Sequence, residues 1–168
     1  DISSPYTRKM RVGWLKKVAN EAMEVSLKSP HLANLEKQDR HLSLVITDDS
    51  TIRRLNLQFR GLDYVTDVLS FSTISQGHWE GDRVVNPQNH TEEPFPIPPY
   101  EPQPLGEVII SYPQAERQAL ASCKDIKKEL SLLVVHGVLH LLGYDHGSLE
   151  EASSMQKMEQ QTLLQLKR

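Results

Sequence analysis

The sequence predicts a single α+β domain in which helices pack on one small mixed β-sheet, and three observations predict it. The chain has 168 residues, 38% of them hydrophobic, which suffices for one packed core and falls short of two. After an N-terminal amphipathic helix the patterns run strand, helix, strand, loop, strand and then three helices, an order that places helices on a mixed sheet. One helical stretch around residue 134 is apolar almost all round, the mark of a helix buried at the centre of a domain. The expected organisation is one domain over residues 1–168 with a proline-rich insertion loop at 76–104.

Residues 6 to 27 carry Met10, Trp14, Val18, Ala22 and Val25 at helical spacing, so an amphipathic helix is expected over that range. Its other face carries Arg8, Lys9, Arg11, Lys16 and Lys17 with no acidic residue among them. Such a run is usually a solvated face, although it could also touch a phosphate backbone. His41 to Thr47, HLSLVIT, alternates and is β-branched enough for a strand. Asp48 or Asp49 then caps a helix running through Arg60, with Ile52, Leu55 and Phe59 expected on its buried side. Arg60 and Gly61 end that helix, and Thr66 to Ser72, TDVLSFS, reads as the next strand, with Thr66, Asp67 and Ser70 shaping a cleft floor.

Residues 76 to 104 hold seven of the ten prolines and include PFPIPPYEPQP. A stretch so poor in backbone donors predicts an extended surface loop, in which His78 and His90 read as solvated residues. Leu105 to Ser111, LGEVIIS, has a continuous apolar core and is expected at the centre of the sheet. Pro113 suits the first position of a helix to Cys123, and the buried helix follows over 126 to 142. Ser148 with Glu151 three residues later predicts a capping box for a last helix, whose apolar side includes Leu149, Ala152, Met155, Met158 and Leu163. No internal repeat is present.

Composition narrows the class. No apolar run is long enough to span a membrane, and the start DISSPYTRKMRVG lacks the apolar core of a signal peptide, so a cytoplasmic protein without a membrane association is expected. A single cysteine, Cys123, cannot form an intrachain disulfide and fits a reducing compartment. The chain does not begin with methionine, so an N-terminal strand is expected to be incomplete. The formal charge of −3 divides into −4 for residues 76 to 104 and +1 for the remainder. A near-neutral body permits nucleic-acid binding without arguing for it.

The chemistry concentrates in HGVLHLLGYDH, His136 to His146. On a helix over 126 to 142, His136 and His140 stand one turn apart on the same face. Gly143 can take φ > 0, end the helix and let the chain double back to deliver His146. Three neutral nitrogen ligands with a fourth position open is the pattern of a catalytic zinc site, and the lack of thiolates agrees. Isolated histidines on apolar helices are more often hydrogen-bonded core residues, but three within eleven residues on a buried helix favour one zinc ion per chain.

HGVLHLLGYDH resembles the signature of the YbeY family of bacterial endoribonucleases, the rRNA maturation factors. LNLQFRGLDYVTDVLSFS, Leu55 to Ser72, resembles that family's second block, and LGEVIIS its third. Val65 departs from the pattern, standing where the family often has proline, and the stretch 76 to 104 is longer than the usual connection. The resemblance implies that His136, His140 and His146 hold zinc and are catalytic, and that Arg60 acts as an electrostatic clamp on a phosphate. On position alone Arg60 is equally well a cation placed at a helix C-terminus. The resemblance further implies single-stranded RNA as substrate, a role in 16S rRNA 3′-end maturation and ribosome quality control, and the small ribosomal subunit or its assembly proteins as partners. Two alternatives remain: a zinc peptidase, disfavoured because Gly137 stands where an HExxH motif has its glutamate, and a non-catalytic assembly factor with structural zinc. Asp145, next to His146, reads either as a support for a ligand or as a turn residue.

Overall fold

A computed structural model describes residues 2, 3, 6, 9–29, 32, 40–73 and 103–166. Its elements are α1 (Val12–Leu27), β1 (Arg40–Thr47), α2 (Asp49–Arg60), β2 (Val68–Ser72), β3 (Gln103–Ser111), α3 (Tyr112–Ala121), α4 (Ile126–Leu141) and α5 (Leu149–Gln165). The sheet order is β1-β3-β2, with β3 parallel to β1 and antiparallel to β2. The mixed sheet and the central position of LGEVIIS are as the sequence predicts. Leu105, Val108 and Ile110 of β3 are fully buried, which is why that strand reads as an apolar run.

α4 organises the domain. Leu130, Val134, Val135, Val138, Leu139 and Leu141 are all essentially inaccessible to solvent, because the helix touches α1, α3 and α5 as well as β2 and β3. Its depth against the sheet depends on Gly137: a Cβ there would meet Val108 Cγ1 at 2.5 Å and Ser70 Oγ at 3.1 Å. The helix therefore lies closer to β2 and β3 than any side chain at 137 would allow. Ser72 fixes the same contact by donating from Oγ to the Leu141 carbonyl at 2.9 Å. Strand alternation then turns Leu69 and Phe71 to the opposite face of the sheet, where Phe71 meets Phe59 of α2 edge-to-face at 5.0 Å.

Caps set the helix starts. Asp48 accepts from the Thr51 N–H at 2.8 Å, Asp125 from the Lys127 N–H at 2.7 Å, and Ser148 and Glu151 form the reciprocal capping box.

Four expectations need correction. α1 starts at Val12, not residue 6, because the preceding chain is drawn into turns: Ser3 N–H donates to the Ile46 carbonyl, Lys9 N–H to the Tyr6 carbonyl, and Tyr6 stacks on Tyr112 at 4.9 Å. β3 begins at Gln103, two residues inside the expected loop; Pro104 is tolerated beside a register shift at His41/Leu42, where a missing N–H costs least. Phe59 is 54% exposed, touching the sheet edge-to-face at Phe71, and Leu149, in the first turn of α5, is 92% exposed. α3 ends at Ala121, with Cys123 beyond it in the left-handed region at φ 52°. Arg8, His31, His78 and His90, and residues 76 to 102 of the expected loop, lie outside the described residues. No helix among the described residues is long and apolar enough to cross a membrane.

Candidate metal centre

His136 and His140 leave α4 on one face, and their Nε2 atoms stand 3.1 Å apart. The helix then stops as the sequence predicts. Gly143 takes φ 89°, its N–H bonds the His140 carbonyl at 3.0 Å, and the Tyr144 N–H returns to the Leu139 carbonyl at 3.0 Å. Asp145 accepts the His146 backbone N–H at 2.8 Å and so fixes the turn that brings His146 back. The His146 ring centroid lies 5.2 Å from that of His140 and 6.0 Å from that of His136. One ligand nitrogen from each of the three residues falls within 4.8 Å of the others. Tetrahedral zinc with nitrogens at its usual bond length needs them about 3.3 Å apart. The pair on α4 meets that spacing already, and His146 sits on an exposed turn able to complete it.

The protonation chemistry suits a cation. Burial, reinforced by the neighbouring His136 and His146 imidazoles, pushes the His140 pKa from 6.5 down to about 4, against the opposing pull of Asp145 and of a hydrogen bond to the Tyr144 backbone. His140 is therefore neutral at pH 7, as a ligand must be. His136 is held from its other side: Nδ1 donates to Glu159 Oε1 on α5 at 2.7 Å. With the proton on Nδ1, Nε2 keeps its lone pair and faces His140. Carboxylate support of this kind is the usual companion of a metal-binding imidazole.

Sequence reasoning missed Glu159, although a signal was available. It lies four residues after buried Met155 and three before buried Thr162, on the face of α5 that packs inward. A carboxylate there must find a partner.

A cavity of about 240 Å³ opens in front of the histidines. Its walls include Arg60 at the end of α2, Thr66, Asp67 and Ser70 of the β2 segment, and the turn from Gly143 to His146. Arg60, His136, His140 and His146 thus line one space, although Arg60 and His136 belong to segments far apart in sequence. Thr66, Asp67 and Ser70 shape its floor as expected. Asp67 is committed to that structure: Oδ1 accepts the Val68 N–H at 2.8 Å and Oδ2 accepts from Gln118 Nε2 at 3.0 Å. His41 is exposed on β1, outside this cavity.

A cleft that sets three convergent imidazoles beside a guanidinium is equipped to hold a cation and an anion side by side, the requirement of a metal-assisted hydrolase. The family model described as Endoribonuclease YbeY matches residues 6–167. The chain is 42% identical over 146 residues to an Endoribonuclease YbeY of Dehalococcoides mccartyi, spanning 86% of this chain and 75% of that one. It is 38% identical over 148 residues to another from Heliobacterium modesticaldum, spanning 85% and 82%. A solution structure of a Thermotoga maritima protein shares the fold with a TM-score of 0.54 over 92% of this chain and 81% of that one, at 23% identity. The chain belongs to the Endoribonuclease YbeY family, a family of hydrolytic nucleases.

Proposed function

We propose that this chain is a zinc-dependent endoribonuclease of single-stranded RNA, with His136, His140 and His146 holding one zinc ion and Arg60 binding the phosphate that is cut. The observation that carries this reading is the convergence of three imidazole nitrogens within 4.8 Å of one another in a cavity that Arg60 also lines. Zinc bound there would supply Lewis-acid chemistry, lowering the pKa of a water toward neutrality and drawing charge from a phosphoryl oxygen.

The chain's own residues do the rest. The Arg60 guanidinium stabilises negative charge as it builds on the phosphate oxygens. Glu159 keeps the His136 proton on Nδ1, and the buried position of His140 keeps that ring neutral. The Thr66 and Ser70 segment forms the floor against which the backbone of an unpaired strand rests. An extended, unstacked strand can reach into such a cavity, whereas a stacked duplex presents its phosphates on a rigid surface.

The near-neutral charge of the chain outside residues 76 to 104 implies few phosphate contacts, hence weak binding with a shallow salt dependence. Selection of a particular RNA would then come from a partner. We assign that role to the small ribosomal subunit or its assembly proteins, with 16S rRNA 3′-end maturation and ribosome quality control as the process and the cytoplasm as the compartment.

Gly137 weighs against a peptidase. The position that carries the glutamate of an HExxH helix is here pressed onto Val108 with no room for a side chain. The deciding experiment offers the same pure protein single-stranded RNA, duplex RNA and an unfolded protein substrate, with His140→Ala as control. Slow cleavage of single-stranded RNA alone, about one zinc per chain, and loss of both in His140→Ala are expected. Cleavage of the protein with RNA left intact would replace this reading with the peptidase.

A further inference from the structure

A second groove leaves the metal centre along the seam between α4 and α5. It shares Asp67, Val68, His136 and His146 with the cavity described above, so the two form one continuous depression. Its volume is about 650 Å³, and its apolar wall is built by Leu132, Leu133, Ala152 and Met155. At its far end lies Glu129, two turns before His136 on the same helix and about 10 Å from it along the axis.

Glu129 is only 7% exposed, and its Oε2 accepts no hydrogen bond. The Lys124 ammonium stands 3.9 Å away, near enough to balance charge and too far to fill the acceptor. The other carboxylates of the groove are occupied: Glu159 accepts from His136, and Asp67 from Gln118 and Val68. A buried acceptor left open is costly and asks for a donor from outside the chain.

We propose that this groove is a nucleobase subsite of the RNA substrate and that Glu129 reads guanine in it. The proposal rests on the endoribonuclease reading and adds to it a specificity-determining residue. The distance from His136 to Glu129 matches the reach from a phosphate at the metal centre to the far edge of a neighbouring base. The apolar wall receives an unstacked ring. Among the four bases only guanine offers two adjacent N–H donors on its Watson–Crick edge, N1–H and N2–H, which a carboxylate accepts as a parallel pair. Adenine and cytosine place one donor beside an acceptor that a carboxylate repels, and uracil has a single N–H between two carbonyls. The terminal torsion of glutamate is broad, so both oxygens can turn to the groove without leaving a rotamer well.

The test measures binding of 5′-GMP, AMP, CMP and UMP to the zinc-loaded full chain, and maps cleavage sites on a randomised single-stranded RNA. GMP is expected to bind about tenfold or more tightly than the others, the discrimination typical of a paired hydrogen-bond contact. Glu129→Gln, isosteric but with one acceptor replaced by a donor, should abolish the preference while zinc content and melting temperature stay unchanged. Ala152→Trp, which fills the groove from α5 and leaves Glu129 itself unchanged, should abolish it as well. Equal binding of the four nucleotides, or a guanine preference that survives Glu129→Gln, overturns the subsite. Binding of GMP through Glu129 by a protein that cuts no RNA supports the subsite and refutes the nuclease reading. Cleavage of RNA with four equal affinities refutes the subsite alone.

Discussion

Removing the Glu159 carboxylate should weaken metal binding without unfolding the protein. The bond from His136 Nδ1 to Glu159 Oε1 is 2.7 Å, and the two side chains are 29% and 17% exposed, so it is short, charge-assisted and largely shielded from solvent. A hydrogen bond to a charged group contributes about 1.5–3 kcal/mol, and about 1.4 kcal/mol is a tenfold change in affinity, so its loss should cost about 10- to 100-fold. The same range is typical when a carboxylate behind a metal-binding histidine is removed. Glu159→Ala therefore should raise the zinc dissociation constant by that factor in competition with a chromophoric chelator. Glu159→Gln retains an acceptor but not the charge, so it should orient His136 and recover part of the loss. A Glu159→Ala protein that binds zinc within about twofold of wild type, with the same melting temperature, would show that His136 needs no support from α5 and would undo the assignment of its tautomer.

Three further outcomes can be checked. Arg60→Ala should leave zinc content unchanged and reduce RNA turnover by about 100-fold or more, since it removes a charge that acts on the phosphate and not on the metal; unaltered turnover would return Arg60 to a helix-end cation. Acid should destabilise the chelated protein between pH 6.5 and about 4, because over that interval the unfolded chain protonates His140 while the folded chain holds it neutral; stability present above pH 6.5 is lost as the pH falls, and His140→Asn should flatten that part of a melting-temperature profile. Gly137→Ala should cost about 1–3 kcal/mol in denaturant titration by forcing α4 off Val108, and wild-type stability there would mean the sheet yields more easily than its packing suggests.

The elements that carry the site were legible because each announces itself locally. α4 is apolar all round, Gly143 marks its end, and the Ser148–Glu151 box marks the start of the next helix, so the order His136, His140, turn, His146 could be read without tertiary information. The N-terminal boundary was not legible, since Met10 continues a helical period but is buried in a turn held by the Ile46 carbonyl and the Tyr6–Tyr112 stack. Phe59 fits the apolar stripe of α2 but meets the sheet only edge-to-face at Phe71 and is otherwise exposed, an outcome no local pattern carries. Arg60 and Glu159 show the same limit at the site. Arg60 lines the histidines' cavity, and Glu159 reaches His136, only through the packing of α2 beside β2 and of α5 on α4, contacts between segments far apart in sequence.

Gly137 links that packing to the chemistry. Two histidines four residues apart on a buried helix also describe a peptidase, and what separates the two designs is the residue that follows the first histidine. In this fold that residue is spent on closeness: with no side chain at 137, Val108 and Ser70 press against the helix backbone. The approach brings β2 to the foot of the histidines, so that Thr66, Asp67 and Ser70 become the floor of their cavity and the end of α2 becomes its rim. A glutamate at 137 would supply a base and at the same time push away the strand that forms the floor. The glycine thus trades a proton acceptor on α4 for a cleft walled by a second segment and closed by an arginine, an arrangement suited to holding a phosphate against a cation.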